Sequence, residues 1–315
     1  MNHSVPPKFL LSIIIPVYNE EKNIEPLIKK LVAVSSQYSY EILFIDDGST
    51  DRTTDAIKKI ATTNHAIKLI SFTRNFGHQM AQTAGYEKAQ GDCVVTIDAD
   101  LQDPPQLIDD LIEQWRKGFK IVYARREKRN DSWFKRCTAY FFYRVINFLS
   151  DTPIPEDIGD FRLLDRSVVQ FLNMLPERSR FLRGLVAWAG FSSTHISFIR
   201  SKRHTGQTHY PLTRMINFAL DGITSFSTKP LKLASYAGFL TSTIGIIGII
   251  YALYRRFFLP HEYWVTGWTA LFVAVMFFGG IQLLTIGIIG EYIGKMYQEI
   301  QRRPQFLIKE TVNVS

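Results

Sequence analysis

Cysteine is scarce: Cys93 and Cys137 are the only two in a chain of 315 residues. They have neither the spacing of a zinc site nor that of a Cys-x-x-Cys redox pair. A disulfide-stapled or zinc-held fold is therefore excluded, and both are expected to be reduced packing residues. Phosphate-binding glycine loops are missing as well. No Gly-x-Gly-x-x-Gly follows the first apolar run and no Gly-x-x-x-x-Gly-Lys-Ser/Thr occurs anywhere, which excludes the dinucleotide-binding and P-loop classes. Residues 1–8 contain no apolar stretch of the kind a cleaved signal peptide carries. Charge itself is absent from two long stretches, 233–254 and 264–290. Each is longer than the roughly 20 residues that cross a hydrocarbon core, so two spanning helices are expected.

The connection between those stretches, 255–263, is short, and the expected result is a hairpin with both ends on one side. Lys229 and Lys232 precede it and Lys295, Arg302, Arg303 and Lys309 follow, against Arg255 and Arg256 in the connection. The positive excess assigns the flanking regions to the cytosolic side of an inner (cytoplasmic) membrane. Gly290 and Gly294 would allow close helix approach, either within the hairpin or in a homo-oligomer. The formal net charge of +8 suits an anionic partner, whether nucleic acid, an acidic membrane surface or a phosphorylated substrate.

Before the hairpin, short apolar runs at 10–16, 40–46, 67–72, 93–98 and 120–124 alternate with helical patterns at 24–34, 53–62, 79–89 and 105–117. That alternation predicts an α/β fold, a mostly parallel sheet with helices on both faces. The expected organisation is a catalytic domain over 1–210, a juxtamembrane amphipathic helix over 211–230, the two spans within 231–292 and a tail over 293–315. An aromatic-rich helix over 132–150 reads as core or as lying at the bilayer interface.

The central run 93–98 leads into Asp98-Ala99-Asp100-Leu101-Gln102-Asp103. Carboxylates at the carboxyl end of a central strand stand where open α/β sheets bind ligands, and hard oxygen ligands suit Mg²⁺ or Mn²⁺. An isolated Asp-x-Asp is also ordinary turn chemistry, so the neighbouring strand ends decide. Pro16-Val17-Tyr18-Asn19-Glu20 follows the first strand and Asp46-Asp47-Gly48-Ser49 the second. Helix capping and turn formation explain Gly48 and Asp51, but not two adjacent carboxylates.

These elements, with Arg74-Asn75-Phe76-Gly77-His78 between them and Pro104-Pro105 after them, occur in the order seen in family 2 glycosyltransferases of the GT-A fold. With the two spans added, the chain resembles the polyprenyl-phosphate glycosyltransferases, a group that includes bactoprenol glucosyltransferases and dolichol-phosphate mannose synthases. The resemblance implies inverting transfer of a sugar from a nucleotide sugar to a polyprenyl phosphate, with no nucleic-acid partner. Glucose from UDP-glucose is the expected donor, and GDP-mannose, a UDP-amino sugar or an aminoarabinose derivative the alternatives. It assigns Pro16, Tyr18, Glu20, Asp46, Asp47 and Gly77 to the donor nucleotide. Asp98, Asp100 and Gln102 are assigned to the metal, with Asp98 also approaching the sugar. Asp157, in an acidic loop over 156–166, is assigned to catalysis as a base or an orienting group, whereas Asp160 reads as a turn residue and Asp165 as a helix cap. Phosphate contacts fall to Arg126, Arg129, Arg200, Arg203, Thr208 and Tyr210. At 208 and 209 the chain has Thr and His where the family has Ser and Lys, which weakens any phosphate role for His209. A processive synthase would carry more spans and a Gln-x-x-Arg-Trp sequence, and the chain has neither. A non-enzymatic membrane scaffold would leave the carboxylates at the strand ends without a purpose.

Overall fold

A computed structural model of the chain describes residues 8–126, 158–178, 180–199, 224, 227–258 and 267–314. The first half runs β1 (Leu10–Val17), α1 (Glu21–Ser35), β2 (Ser39–Asp46), α2 (Thr53–Ala61), β3 (Ile67–Phe72), α3 (His78–Lys88), β4 (Cys93–Thr96), α4 (Leu107–Arg116) and β5 (Ile121–Arg126). Then follow β6 (Ile158–Asp165), α5 (Arg166–Met174), α6 (Leu182–Trp188), β7 (Ser193–Phe198), α7 (Lys229–Phe258), α8 (Trp268–Gln301) and β8 (Ile308–Val312).

The strands form one eight-stranded sheet in the order β7-β5-β6-β4-β1-β2-β3-β8. Pairings β1–β2, β1–β4, β2–β3 and β5–β7 are parallel, while β3–β8, β4–β6 and β5–β6 are antiparallel. β1 is central and, apart from Ser12, which donates to Glu41, apolar because both its faces are covered. Successive side chains alternate between the faces. Leu11, Ile13 and Ile15 pack with α1 and α4 through Ile24, Leu27, Leu31, Leu111 and Trp115. Ile14 faces the other way, onto Ala81 and Ala84 of α3 and Val168, Leu172 and Leu185 of α5 and α6. The expected α/β architecture, with parallel pairing among β1 to β4 and helices on both faces, is thus present. The free thiol of Cys93 is buried in the first of these cores, as expected.

Three strands differ from the expectation. The residues read as an acidic loop become strand β6 from Ile158 onward, and Asp160 is a strand residue, not a turn residue. Asp165 does cap the following helix, accepting the Ser167 N–H at 3.0 Å. Strand β7 carries alternating polar residues at the sheet edge. The tail residues do not trail free: β8 adds to the sheet edge beside β3.

Within 229–254 and 271–301 the 18-residue stretches that carry the apolar character have mean hydropathies of 1.7 and 2.3. Their large side chains are open to the surroundings, with Phe239 76% and Leu283 72% exposed. Apolar surface on this scale calls for a cover, and both helices are long and apolar enough to cross a bilayer. The two helices pack against each other, and near their far ends the Tyr292 hydroxyl donates to the Ser227 carbonyl at 2.6 Å, which makes them an antiparallel hairpin. Among the described residues nothing lies within 4 Å of where a Cβ would sit on Gly290 or Gly294, so these glycines do not seat the hairpin's own partner helix.

Candidate active site

The carboxyl ends of β1, β2 and β4, with the start of α3, surround a cavity of about 290 Å³. Its lining includes Pro16, Tyr18, Glu20, Asp47, Gly77, Asp98 and Asp100 of the expected site residues, and adds Val17, Asn75, His78, Ala81 and Ala99. Asp46 and Gln102 are not in this lining. The Asp46 carboxylate is 1% exposed and accepts from Ser49 N, Thr54 Oγ1 and Ser71 Oγ at 2.9, 2.6 and 2.9 Å. It ties the end of β2 to α2 and β3. Gln102 donates its backbone N–H to Asp100 Oδ1 at 3.1 Å and so helps to aim that carboxylate. Asp157, Arg129, Arg200, Arg203, Thr208 and Tyr210 lie outside the described residues, as do the aromatic segment 132–150 and most of 211–228.

Local bonding explains the shape of the walls. Asn19, at φ 55°, accepts the Thr50 N–H at 2.8 Å, lacing the loop after β1 to the loop after β2. Asp47 accepts the backbone N–H groups of Phe76 at 2.6 Å and Gly77 at 2.9 Å, which holds the loop before α3. Burial pushes the Asp47 carboxyl above its ordinary value against those two bonds. Gly48 must be glycine: its φ is +72°, and a Cβ there would stand 2.4 Å from the Arg74 carbonyl carbon. Gly85 brings α3 onto the sheet, since a Cβ would stand 2.4 Å from Ile14 Cγ2. That close approach sets His78, at the helix start, over the end of β4.

His78 Nε2 lies 3.6 Å from Asp98 Oδ1 and 3.4 Å from Asp160 Oδ2. Arg183 Nε and Nη2 donate to the two Asp160 oxygens at 3.0 and 2.8 Å, a bidentate pair. Burial opposes the charged forms of both Asp160 and His78. For Asp160, hydrogen bonds from His78 and Arg183 outweigh it and hold the carboxyl well below its usual range. For His78, the hydrogen bond to Asp160 and the charges of Asp98 and Asp160 prevail and raise the imidazole pKa. Asp98 goes the other way. Burial raises its carboxyl pKa, as do Asp160 and Asp100, against His78 and Arg126.

This electrostatic pattern tests the fit of a divalent cation. His78, Asp98 and Asp160 place ligand atoms within 4.8 Å of one another. Asp160, however, already has its charge matched by the Arg183 fork. Asp98 Oδ1 is buried with no hydrogen-bond partner among the described residues. Asp98 and Asp100 both line the cavity with hard carboxylate oxygens, and a hard cation fits there. Arg126, at the end of β5, lies 3.8 Å from Asp103 and closes over Gly159, whose Cβ would meet its Nη2 at 2.8 Å.

The profile of "Glycosyl transferase family 2" matches residues 12–172. The uncharacterized glycosyltransferase YkcC of Bacillus subtilis is 46% identical over 306 residues, covering 96% of this chain and 94% of that one. The chain belongs to glycosyl transferase family 2. Among other relatives of this glycosyltransferase, the bactoprenol glucosyl transferase of Shigella phage SfV is 40% identical, covering 95% of this chain and 98% of that one. Of solved structures, the chain is similar to the mannosyltransferase PcManGT from Pyrobaculum calidifontis in complex with GDP-Man and Mn²⁺. That match has a TM-score of 0.48 and 15% identity and covers 94% and 88% of the two chains. His78, Asp160 and Arg183 were the site residues without a role in the sequence reading. His78 closed a recognised segment, but a pair on a strand and helix remote in sequence from it has no spacing to read.

Proposed function

We propose that this family 2 glycosyltransferase moves a glycosyl group, with inversion, from UDP-glucose to a polyprenyl phosphate at the cytosolic face of a membrane. One observation carries the reading: a single chain joins a carboxylate-lined cavity at the strand ends to two exposed apolar helices. The cavity suits a donor diphosphate held through a cation, and the helices suit an acceptor whose tail stays in lipid. Relatives named as bactoprenol glucosyl transferases, 39–40% identical over nearly the whole chain, support the acceptor class.

In the proposed step an acceptor phosphate oxygen bonds to the anomeric carbon as that carbon's bond to the donor diphosphate breaks, and the nucleoside diphosphate leaves with the electron pair. A phosphate monoester has a second pKa near 6, so the acceptor is mostly dianionic at neutral pH and needs no strong base. Asp157 is accordingly assigned to orienting the acceptor. Asp98 and Asp100 would hold Mg²⁺ or Mn²⁺, which when bound neutralises charge on the departing diphosphate. Pro16, Tyr18 and Glu20 flank the nucleotide. His78 stands at the N-terminal, positive end of α3, where Asp160 and Asp98 raise its imidazole pKa. Arg126, Arg129, Arg200, Arg203, Thr208 and Tyr210 are assigned to phosphate groups, with arginine suited to two parallel bonds.

The test is a donor panel: sugar-labelled UDP-glucose, GDP-mannose and UDP-N-acetylglucosamine, each with undecaprenyl phosphate and the purified full chain in detergent with Mn²⁺. Label entering the organic phase from UDP-glucose is the expected result. Label from another donor alone would replace the sugar and keep the acceptor, while label that stays in water with every donor would reject the reading.

A further inference from the structure

The C-terminal residues beyond α8 reach the cavity wall through one aromatic ring. In the last turn of α8 the Glu299 carboxylate accepts the Arg178 N–H at 3.0 Å, and Arg302, just past the helix, turns the chain with φ 49°. The Arg178 guanidinium donates to the Arg303 carbonyl, and the Gln305 amide donates to the Glu177 carbonyl at 2.8 Å. Further on, Thr73 donates its N–H to the Leu307 carbonyl at 3.0 Å, Lys58 pairs with Glu310 at 2.7 Å, and Asn313 Nδ2 donates to the Ala61 and Ile67 carbonyls at 2.8 and 2.9 Å. This segment is a clamped strap. Between its anchors, Phe306 stacks on Phe72 with centroids 5.0 Å apart and planes 13° apart. Phe76 meets the same Phe72 ring edge-on at 5.8 Å and 90°, and the Arg74 guanidinium lies 4.1 Å over Phe76. The Phe76 and Gly77 N–H groups are those that Asp47 accepts, and Asp47, Asn75, Gly77 and His78 line the cavity.

We infer that Phe306 is a positioning residue for the donor site: through Phe72 and Phe76 it fixes the loop 73–77, so that the strap following the second apolar helix completes the cavity wall. A strap with only a stabilising role would need the clamps and strand pairing but no ring stacked on Phe72, the residue just before this loop that Phe76 also meets. The consequence is that the hairpin and the donor cavity form one mechanical unit. The inference rests on the reading of this cavity as the nucleotide site, and a second variant separates the two.

Binding of UDP and of GDP, with Mn²⁺, is measured on the full chain in detergent, alongside donor and acceptor KM and thermal unfolding, for Phe306→Ala, Phe306→Tyr and Tyr18→Ala. Tyr18 lines the cavity far along the chain from the strap. Phe306→Ala is expected to weaken the better-bound nucleotide and raise donor KM roughly tenfold, the scale of a small misplacement at a positioned site. Acceptor KM should stay unchanged, and Phe306→Tyr should restore wild-type values. Where Phe306→Ala fails to fold, Phe306→Leu, which keeps apolar bulk without the ring, takes its place. Unchanged nucleotide affinity in the Phe306 variants while Tyr18→Ala weakens it would overturn the strap proposal alone. If neither position affects the nucleotide, both the strap proposal and the cavity reading fall. Donor and acceptor KM rising together, or a lowered unfolding temperature at unchanged donor KM, would also overturn the positioning role.

Discussion

Asp98 and Asp100 both line the cavity, Asp98 Oδ1 has no hydrogen-bond partner among the described residues, and burial strains Asp98 toward its neutral form. Activity is therefore expected to vanish in EDTA and to return with Mn²⁺ or Mg²⁺, and Asp98→Asn should lower kcat about 10²-fold or more. Initial rates in metal-buffered solution check both. Asp165 supplies a pH prediction. Burial acts to raise its carboxyl pKa, but hydrogen bonds from Ser167, Trp115 and Lys120 override it and the pKa is lowered. An unfolded chain then holds the proton more tightly than the folded one. The stabilisation is complete above the ordinary carboxylate pKa of about 4 and is lost as pH falls through the lowered folded value. Asp165→Ala should cost about 2–3 kcal/mol at pH 7 and flatten the acid limb of the unfolding profile. The Asp98-x-Asp100 pair was legible from sequence because both carboxylates follow one apolar run. The counterpart formed by His78, Asp160 and Arg183 was not, since its members meet only after β6 pairs antiparallel with β4. Asp46 misled in the opposite direction: adjacent carboxylates look alike in a sequence, and only hydrogen bonding separates the inward Asp46 from the cavity-lining Asp47.

Among the elements, α3 depends on one close contact. Gly85→Ala gains roughly 1 kcal/mol of helix propensity but drives a methyl into Ile14 Cγ2. Overpacking of a dense core costs about 1–3 kcal/mol, so net destabilisation is expected, with His78 displaced and donor KM raised. A double-mutant cycle with Ile14→Ala should recover at least part of the loss, and strict additivity would show that the contact does not govern α3. The parallel strands β1 to β4 were readable because burial on both faces makes them mainly apolar, the few inward polar side chains such as Ser12 and Glu41 being bonded to each other. Strand β6 was hidden by Asp160 and Arg162, the latter fully buried with its Nη2 donating to the Tyr86 hydroxyl at 3.3 Å. Such charges break an apolar signature even where the backbone is extended. β8, with Lys309 and Glu310 within five residues, reads as a polar tail and becomes a strand only because the edge of β3 awaits pairing.

At the scale of the whole molecule, β8 returns the chain to the sheet after the second apolar helix, so the residues before and after the hairpin belong to one body. Orientation then has a direct check in intact cells, using chains with Cys93 and Cys137 replaced by alanine. A membrane-impermeant maleimide should label Glu262→Cys from outside, and Thr311→Cys only after permeabilisation. The reverse pattern would place the cavity on the wrong side for a cytosolic donor. In the proposed reaction the acidic cavity hands its sugar to a lipid phosphate. The most direct test of this transfer compares sugar-labelled UDP-glucose incubated with undecaprenyl phosphate and with undecaprenol, for wild type and Asp100→Asn. Label is expected in the phosphate lipid alone, abolished by Asp100→Asn. Equal label in the alcohol, or transfer by Asp100→Asn at the wild-type rate, would contradict it.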